Sequence, residues 1–218
     1  MPLELTIEAL CREARRFADI ESQHPEPILY GVTDGKAVAT YLEHKFRAFL
    51  SAGYAFKVGN SASGIDFPDL GVDMKATSIK QPQSSCPFKS ARQKIFGLGY
   101  ALLVFVYTKT DNFENRTGTL LIEHTVFVEK ERTADFQMTR GLRQILDNDG
   151  NEDDLMAFMT DKMLPMEDSE AHAIARELLS GADMRQGYLT ISNALQWRLQ
   201  YSRIIAEAGV VEGIVKVR

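Results

Sequence analysis

The stretch that decides the fold runs Gly64-Ile65-Asp66-Phe67-Pro68-Asp69-Leu70-Gly71-Val72-Asp73-Met74-Lys75-Ala76-Thr77. Residues 59–69 are rich in Gly, Asn, Ser and Pro and read as a turn region. From Gly71 the sequence alternates: Val72, Met74 and Ala76 point one way, Asp73, Lys75 and Thr77 the other, which is the two-residue period of a strand. Asp73 and Lys75 therefore project from one face. The expectation is a strand that leaves an acid-bearing turn carrying an acid and an amine on the same side.

Working outward, Ile7, Leu10, Cys11, Ala14 and Phe17 recur at helical spacing over residues 5–21. Asp34-Gly35 marks a turn and a helix start. Residues 36–50 then set Val38, Tyr41, Leu42, Phe46, Phe49 and Leu50 on one face of a second helix. Gly53 ends it, and 54–58 suits a short strand. Downstream, residues 100–107 (Tyr-Ala-Leu-Leu-Val-Phe-Val-Tyr) form a continuous apolar run, expected of a central strand buried on both faces. Residues 119–129 hold a further strand or pair. After residue 135 the pattern is helical over 136–147, 152–163, 168–180 and 188–206, and 210–217 suits a closing strand. This order predicts an α/β fold, a central sheet flanked by helices, with a C-terminal helical lobe. No repeat or linker interrupts the chain, so residues 1–135 are expected as a core and 136–218 as a mostly helical lobe packed on it.

The acids and the amine have a chemical use together. Hard divalent ions prefer carboxylate oxygens and keep water and substrate phosphate as further ligands. Such an ion polarises a phosphoryl oxygen and acidifies an attacking water. Lys75 would hold or deprotonate that water, or offset charge developing on phosphate. The same residue types also fit a surface Asp–Lys pair beside an Asx turn. Glu43 lies at the edge of the second helix's apolar stripe, so it is expected half buried and in need of a partner. A metal-binding strand packed on the helix would supply one; so would Lys36 or another cation.

Gly35-Lys36, Tyr41-Leu42-Glu43, Asp66 and Leu70-Gly71-Val72-Asp73-Met74-Lys75 leading into Thr77 form a helix-plus-strand set that resembles the PD-(D/E)xK nuclease superfamily. The resemblance is closest to the branch containing the mismatch-repair nicking enzyme MutH and related type II restriction endonucleases, and it covers residues 34–78. It implies a restriction-endonuclease-like mixed sheet, with Asp66 and Asp73 as Mg²⁺ ligands. Lys75 would then stand at the nucleophilic water, with Glu43 supporting the metal shell. The implied reaction is hydrolysis of duplex DNA to a 5′-phosphate and a 3′-hydroxyl. A palindromic site would favour a homodimer; the rivals are a monomeric nicking enzyme and a non-catalytic DNA-binding protein. Two departures stand out. The strand acid is Asp73 where that branch commonly has Glu, and Asp69 offers a fallback for Asp66.

Composition agrees with a nucleic-acid enzyme only once charge is resolved along the chain. The 218 residues carry a net charge of −5, which taken alone argues against a nucleic-acid partner. Residues 147–170, however, hold nine acids against Lys162, a local −8 that leaves the remainder at +3. Residues 76–94 contain Lys80, Lys89, Arg92 and Lys94 and no acid, and are expected as a loop touching phosphates and base edges. On the expected 188–206 helix, Arg198 and Arg203 are further candidates for DNA contact, while Trp197 and Tyr201 suit packing. Asp147, Asp149, Asn151 and Asp153 lack the glycine and glutamate positions of a calcium loop. His24, His44, His124 and His172 show no paired ligand spacing. Cys11 and Cys86 by themselves make neither a disulfide framework nor a zinc site, and fit a reducing cytoplasm. No apolar run approaches the ~20 residues of a membrane span, and Met1-Pro2-Leu3-Glu4 lacks the opening of a secretory leader.

Overall fold

The apolar run at 100–107 lies at the middle of a sheet. The structure, a computed structural model, describes residues 2–59, 64–192 and 198–218. In chain order its strands are β1 (Leu3–Glu4), β2 (Pro25–Glu26), β3 (Tyr54–Ala55), β4 (Val72–Ser78), β5 (Gln83–Ser85), β6 (Ala101–Asn112), β7 (Thr117–Val128), β8 (Thr190–Ser192), β9 (Arg198–Gln200) and β10 (Ile214–Lys216). The helices are α1 (Ile7–Glu21), α2 (Gly35–Ser51), α3 (Ala91–Phe96), α4 (Phe136–Asp147), α5 (Glu152–Asp161), α6 (Asp168–Leu179) and α7 (Ser202–Glu207). β6 runs parallel to β4, from Val72 opposite Ala101 to Ser78 opposite Tyr107, and antiparallel to β7. β10 and β2 both pair antiparallel with β7. The sheet is therefore mixed, in the order β10-β7-β6-β4, and β4 is its edge.

Both faces of β6 are covered, which is why its sequence is apolar without alternation. Leu103, Phe105 and Tyr107 face α1 and α2, joining Phe17, Leu42, Phe46 and Leu50 in one core. Leu102, Val104 and Val106 face the other way, onto Ile191, Leu199, Tyr201 and Ile204. Phe46 is the keystone of the first core. Its ring centroid lies 5.1 Å from Phe17, 5.3 Å from Phe105 and 6.3 Å from Phe67. Such tilted and edge-on pairs add roughly 0.5–1.5 kcal/mol each beyond area burial. They also fix the rotation of α2, and with it the direction of Glu43 and Arg47.

A third cluster, built by α3 to α6 around Ile95, Leu142, Leu155 and Ile174, forms the helical lobe. Asp135 ties it to the sheet region: its Oδ1 accepts from Met138 N (2.8 Å), capping α4, and its Oδ2 accepts from Ile191 N (3.0 Å). The acidic run near residue 150 serves a local end as well, because Asn151 and Asp154 form a reciprocal capping box at the start of α5.

Two expectations need correction. Residues 188–206 are not one helix: β8 and β9 occupy the described part, and only Ser202–Glu207 is helical. Leu189, Ile191, Leu199 and Tyr201 are all buried, an every-second-residue pattern that belongs to strands. Tyr201 packs as expected; Gln196 and Trp197 lie outside the described residues. Residues 76–94 are not loop throughout, since they include β5 and α3. Among the described residues no helix is long and apolar enough to cross a membrane.

Candidate active site

Asp66 enters the site on a tight reversal. Phe67 and Val72 exchange both backbone hydrogen bonds (2.9 and 3.2 Å), and Gly71 turns the chain into β4 with φ +61°. Phe67, fully buried against Phe46, anchors this turn in the core. On the other side Gly59 N donates to Asp66 O (2.9 Å), and a Cβ at Gly59 would fall 1.7 Å from the Ile65 carbonyl oxygen. Glycine is therefore required where the incoming chain presses on the Asp66 backbone. So held, Asp66 Oδ2 accepts from Met74 N at 2.8 Å, occupying an amide on the free edge of β4. Asp69 turns away: its carboxylate pairs with Lys57 Nζ at 3.1 Å and is nearly half exposed.

Asp73 and Lys75 share a face of β4, as the alternation predicts. Asp73 is 3% exposed, and its Oδ2 is hydrogen-bonded to nothing. Lys75 Nζ lies 2.5 Å from that oxygen, paired in charge but off the direction a hydrogen bond requires. Burial pushes the Asp73 carboxyl up to about 7; Lys75 opposes the rise, and the neighbouring Asp66 adds to it. Burial also raises Glu43, with the charge of Asp66 behind it and Arg47 opposing. Asp66 therefore acts on both Glu43 and Asp73, pushing each toward its protonated form. Tyr100 stands close by: burial first, and then the charge of Asp73, pushes its phenol up to about 12.

Arg47 completes the site and was not anticipated from the sequence. Its Nη2 lies 2.5 Å from Glu43 Oε1 and its Nη1 3.7 Å from Asp66 Oδ1. The available signal was its position four residues after Glu43 on α2, which places both on one flank. Among the described residues no three His, Cys, Asp or Glu side chains stand together as a metal cluster, and Arg47 and Lys75 pair with the acids. The donor set is nonetheless all carboxylate, and Asp73 Oδ2 is a buried acceptor with no hydrogen bond. That chemistry fits a hard divalent cation.

Comparison with known proteins places this arrangement in a family. The family described as type II restriction enzyme NspV matches residues 4–216. A type II restriction enzyme NspV from Nostoc sp. (strain ATCC 29411 / PCC 7524) is 67% identical over 213 residues, covering 98% of this chain and 96% of that protein. The chain belongs to the NspV family of type II restriction enzymes. No solved structure matches this NspV-family chain.

The expected DNA contacts differ in exposure and in what they touch. Lys80 and Lys89 are exposed, on the turn after β4 and just before α3. Arg92 is exposed too, but it spans to the helical lobe: Nη2 lies 2.6 Å from Glu177 Oε1, and the guanidinium sits over Phe96. Lys94 is 2% exposed and cannot reach a duplex. Its place on α3, beside buried Ala91 and Ile95, turns it inward, and the expectation of a surface contact is withdrawn. Arg203 stacks 3.6 Å above the Phe136 ring, its Nε buried and without a hydrogen bond, so it packs α7 onto α4. Arg198 lies on a strand and not on a groove-lying helix, and is half buried.

Proposed function

We propose that this NspV-family protein is a site-specific endonuclease that hydrolyses phosphodiester bonds in duplex DNA with Mg²⁺, leaving a 5′-phosphate and a 3′-hydroxyl. The observation that carries this reading is buried Asp73 held against Lys75 on β4, with Asp66 bonded to the next amide of that strand and Arg47 linking Asp66 to Glu43. Asp66 and Asp73 would hold the ion, with Glu43 in support. When bound, the ion supplies Lewis-acid polarisation of the phosphoryl oxygen and a more acidic water. Lys75 orients the attacking water and offsets charge growing on the phosphate. Asp73 fixes Lys75 by charge, and Arg47 pairs Glu43 with Asp66 in the metal-free protein. Asp66 is further held by the Met74 amide, so the acids are positioned before substrate arrives. A symmetric homodimer acting on a palindrome, in the cytoplasm, is the assembly this reading favours.

The test is digestion of a phage genome with Mg²⁺ and sequencing of the ends, alongside Asp73→Ala and Lys75→Ala. Discrete ends that vanish in EDTA and in both variants are expected. DNA left intact by the wild-type protein, or normal cutting by the variants, defeats the proposal. Linear product from single encounters with a plasmid supports the dimer; open circles alone support a nicking monomer.

A further inference from the structure

β5, β9 and β8 form a second, smaller antiparallel sheet in the order β5-β9-β8, set against the active-site strand. Its register puts Ser84, Leu199 and Ile191 side by side. Leu199 and Ile191 are buried, and the Ser84 hydroxyl lies 2.6 Å from that of fully buried Tyr201, so this row faces inward. The rows on either side must face outward. One is Gln83, Gln200 and Thr190; the other is Ser85, Arg198 and Ser192. None of the six is buried, and none is apolar or acidic.

We infer that this outer face reads base edges in the major groove and so sets the sequence at which the enzyme cuts. The inference rests on the endonuclease reading above and deepens it. Three observations carry it. The side chains are the ones whose geometry matches base edges: Arg pairs two-fold with guanine, Gln with adenine, and Ser and Thr serve either. The two chain segments that meet in this sheet, residues 76–94 and 184–206, each lack any Asp or Glu in a chain that holds 30. A face laid against a polyanion needs that clearance. Finally, the sheet is fastened to the strand of Asp73 and Lys75: Thr77 Oγ1 donates to Gln83 O (3.1 Å) and accepts from Gln83 N (3.0 Å). A reader pinned to the cutting strand transmits register from base to scissile bond without a flexible joint. Paired strands are also an established form for major-groove readout, since the groove admits a two-stranded ribbon.

The experiment first maps the cut sequence for the wild-type protein. It then measures binding in Ca²⁺, without Mg²⁺, to a duplex bearing that sequence and to one lacking it. Arg198→Ala and Gln200→Ala are each expected to reduce the ratio of site to non-site affinity tenfold or more, with the melting temperature and non-site binding at low salt little changed. Relaxed cutting at sequences one base away supports the same conclusion. Lys75→Ala is expected to keep the ratio and lose cleavage. The inference is overturned if Arg198→Ala, Gln200→Ala and Gln83→Ala all retain the wild-type ratio and the wild-type cut sequence. Should Arg198→Ala not fold, Arg198→Lys and Gln83→Ala carry the measurement. A wild-type protein that yields no discrete ends defeats the endonuclease reading itself, an outcome separate from variants that cut with unaltered specificity.

Discussion

The Asp66 carboxylate accepts a hydrogen bond from the Met74 amide at 2.8 Å, so an acid of the turn closes an open position on the edge of the strand that carries Asp73 and Lys75. Edge amides left free invite pairing with other chains. Asp66 therefore has a structural duty separable from its proposed metal duty. Asp66→Asn keeps an acceptor for Met74 and relieves repulsion with Glu43 and Asp73, and is expected to melt at or slightly above the wild-type temperature. Asp66→Ala loses the acceptor and should fall about 1 kcal/mol below the Asn variant. Both should lose cleavage. Thermal melts and plasmid digestion check the two statements independently.

Asp73 sets a pH dependence whose direction follows from its raised pKa. Between the ordinary value of 3.8 and about 7 the folded protein holds a proton on Asp73 that the unfolded chain releases. Stability from this group is fully present below 3.8 and is lost as pH rises through about 7. Asp73→Asn should therefore stabilise the metal-free protein at pH 8, by on the order of 1–2 kcal/mol, and make little difference near pH 4. Urea titrations in EDTA at the two pH values measure this. Equal stability of variant and wild type at pH 8 would show that Lys75 already compensates the buried charge.

Arg47 bridges Glu43 and Asp66 where a metal ion would otherwise bring those acids together. Removing it should lower the stability of the metal-free protein and favour an added cation. Mg²⁺ is expected to raise the melting temperature of Arg47→Ala by more than it raises that of the wild type, in the absence of DNA. A smaller rise would mean that Arg47 helps to build the ion site and does not compete for it.

Gly59→Ala tests how Asp66 is placed. The new Cβ would meet the Ile65 carbonyl oxygen at 1.7 Å, so the backbone must move. Overpacking of this kind costs about 1–3 kcal/mol. Because the displaced residue adjoins Asp66, cleavage should fall further than the stability loss alone explains. Rates measured well below the melting temperature separate the two.

The cations after β4 separate into surface and interior. Lys80→Ala and Lys89→Ala should each reduce the salt dependence of DNA binding by about one charge, with little change in melting temperature. Lys94→Ala should do the reverse, losing about 2 kcal/mol of stability through the vacated interior space and leaving the salt dependence alone. Binding titrations across salt concentrations, with melts in parallel, distinguish them.

Local pattern was enough for the two N-terminal helices, for β4 and for β6, because each presents its period over a full element. Glu43 was readable as half buried for the same reason. The second sheet is not legible, because its strands are three residues long, too short to present a period. The run of cations over 76–94 does not reveal the burial of Lys94, which follows from Ala91, Lys94 and Ile95 sharing the buried side of one short helix. The role of Arg47 depends on where Asp66 lies, a contact between separate elements that no single window of sequence contains.

Ser84 and Tyr201 are 117 residues apart in the chain and meet across the second sheet. At roughly 5–20 residues per second, a ribosome would expose Glu43, Asp66, Asp73 and Lys75 for on the order of ten seconds before β9 emerged. During that interval the growing chain carries its acids and lysine but not the small sheet in which Ser84 meets Tyr201. If the outer face of that sheet reads base edges as inferred above, completion of the polypeptide and the acquisition of sequence discrimination are coupled.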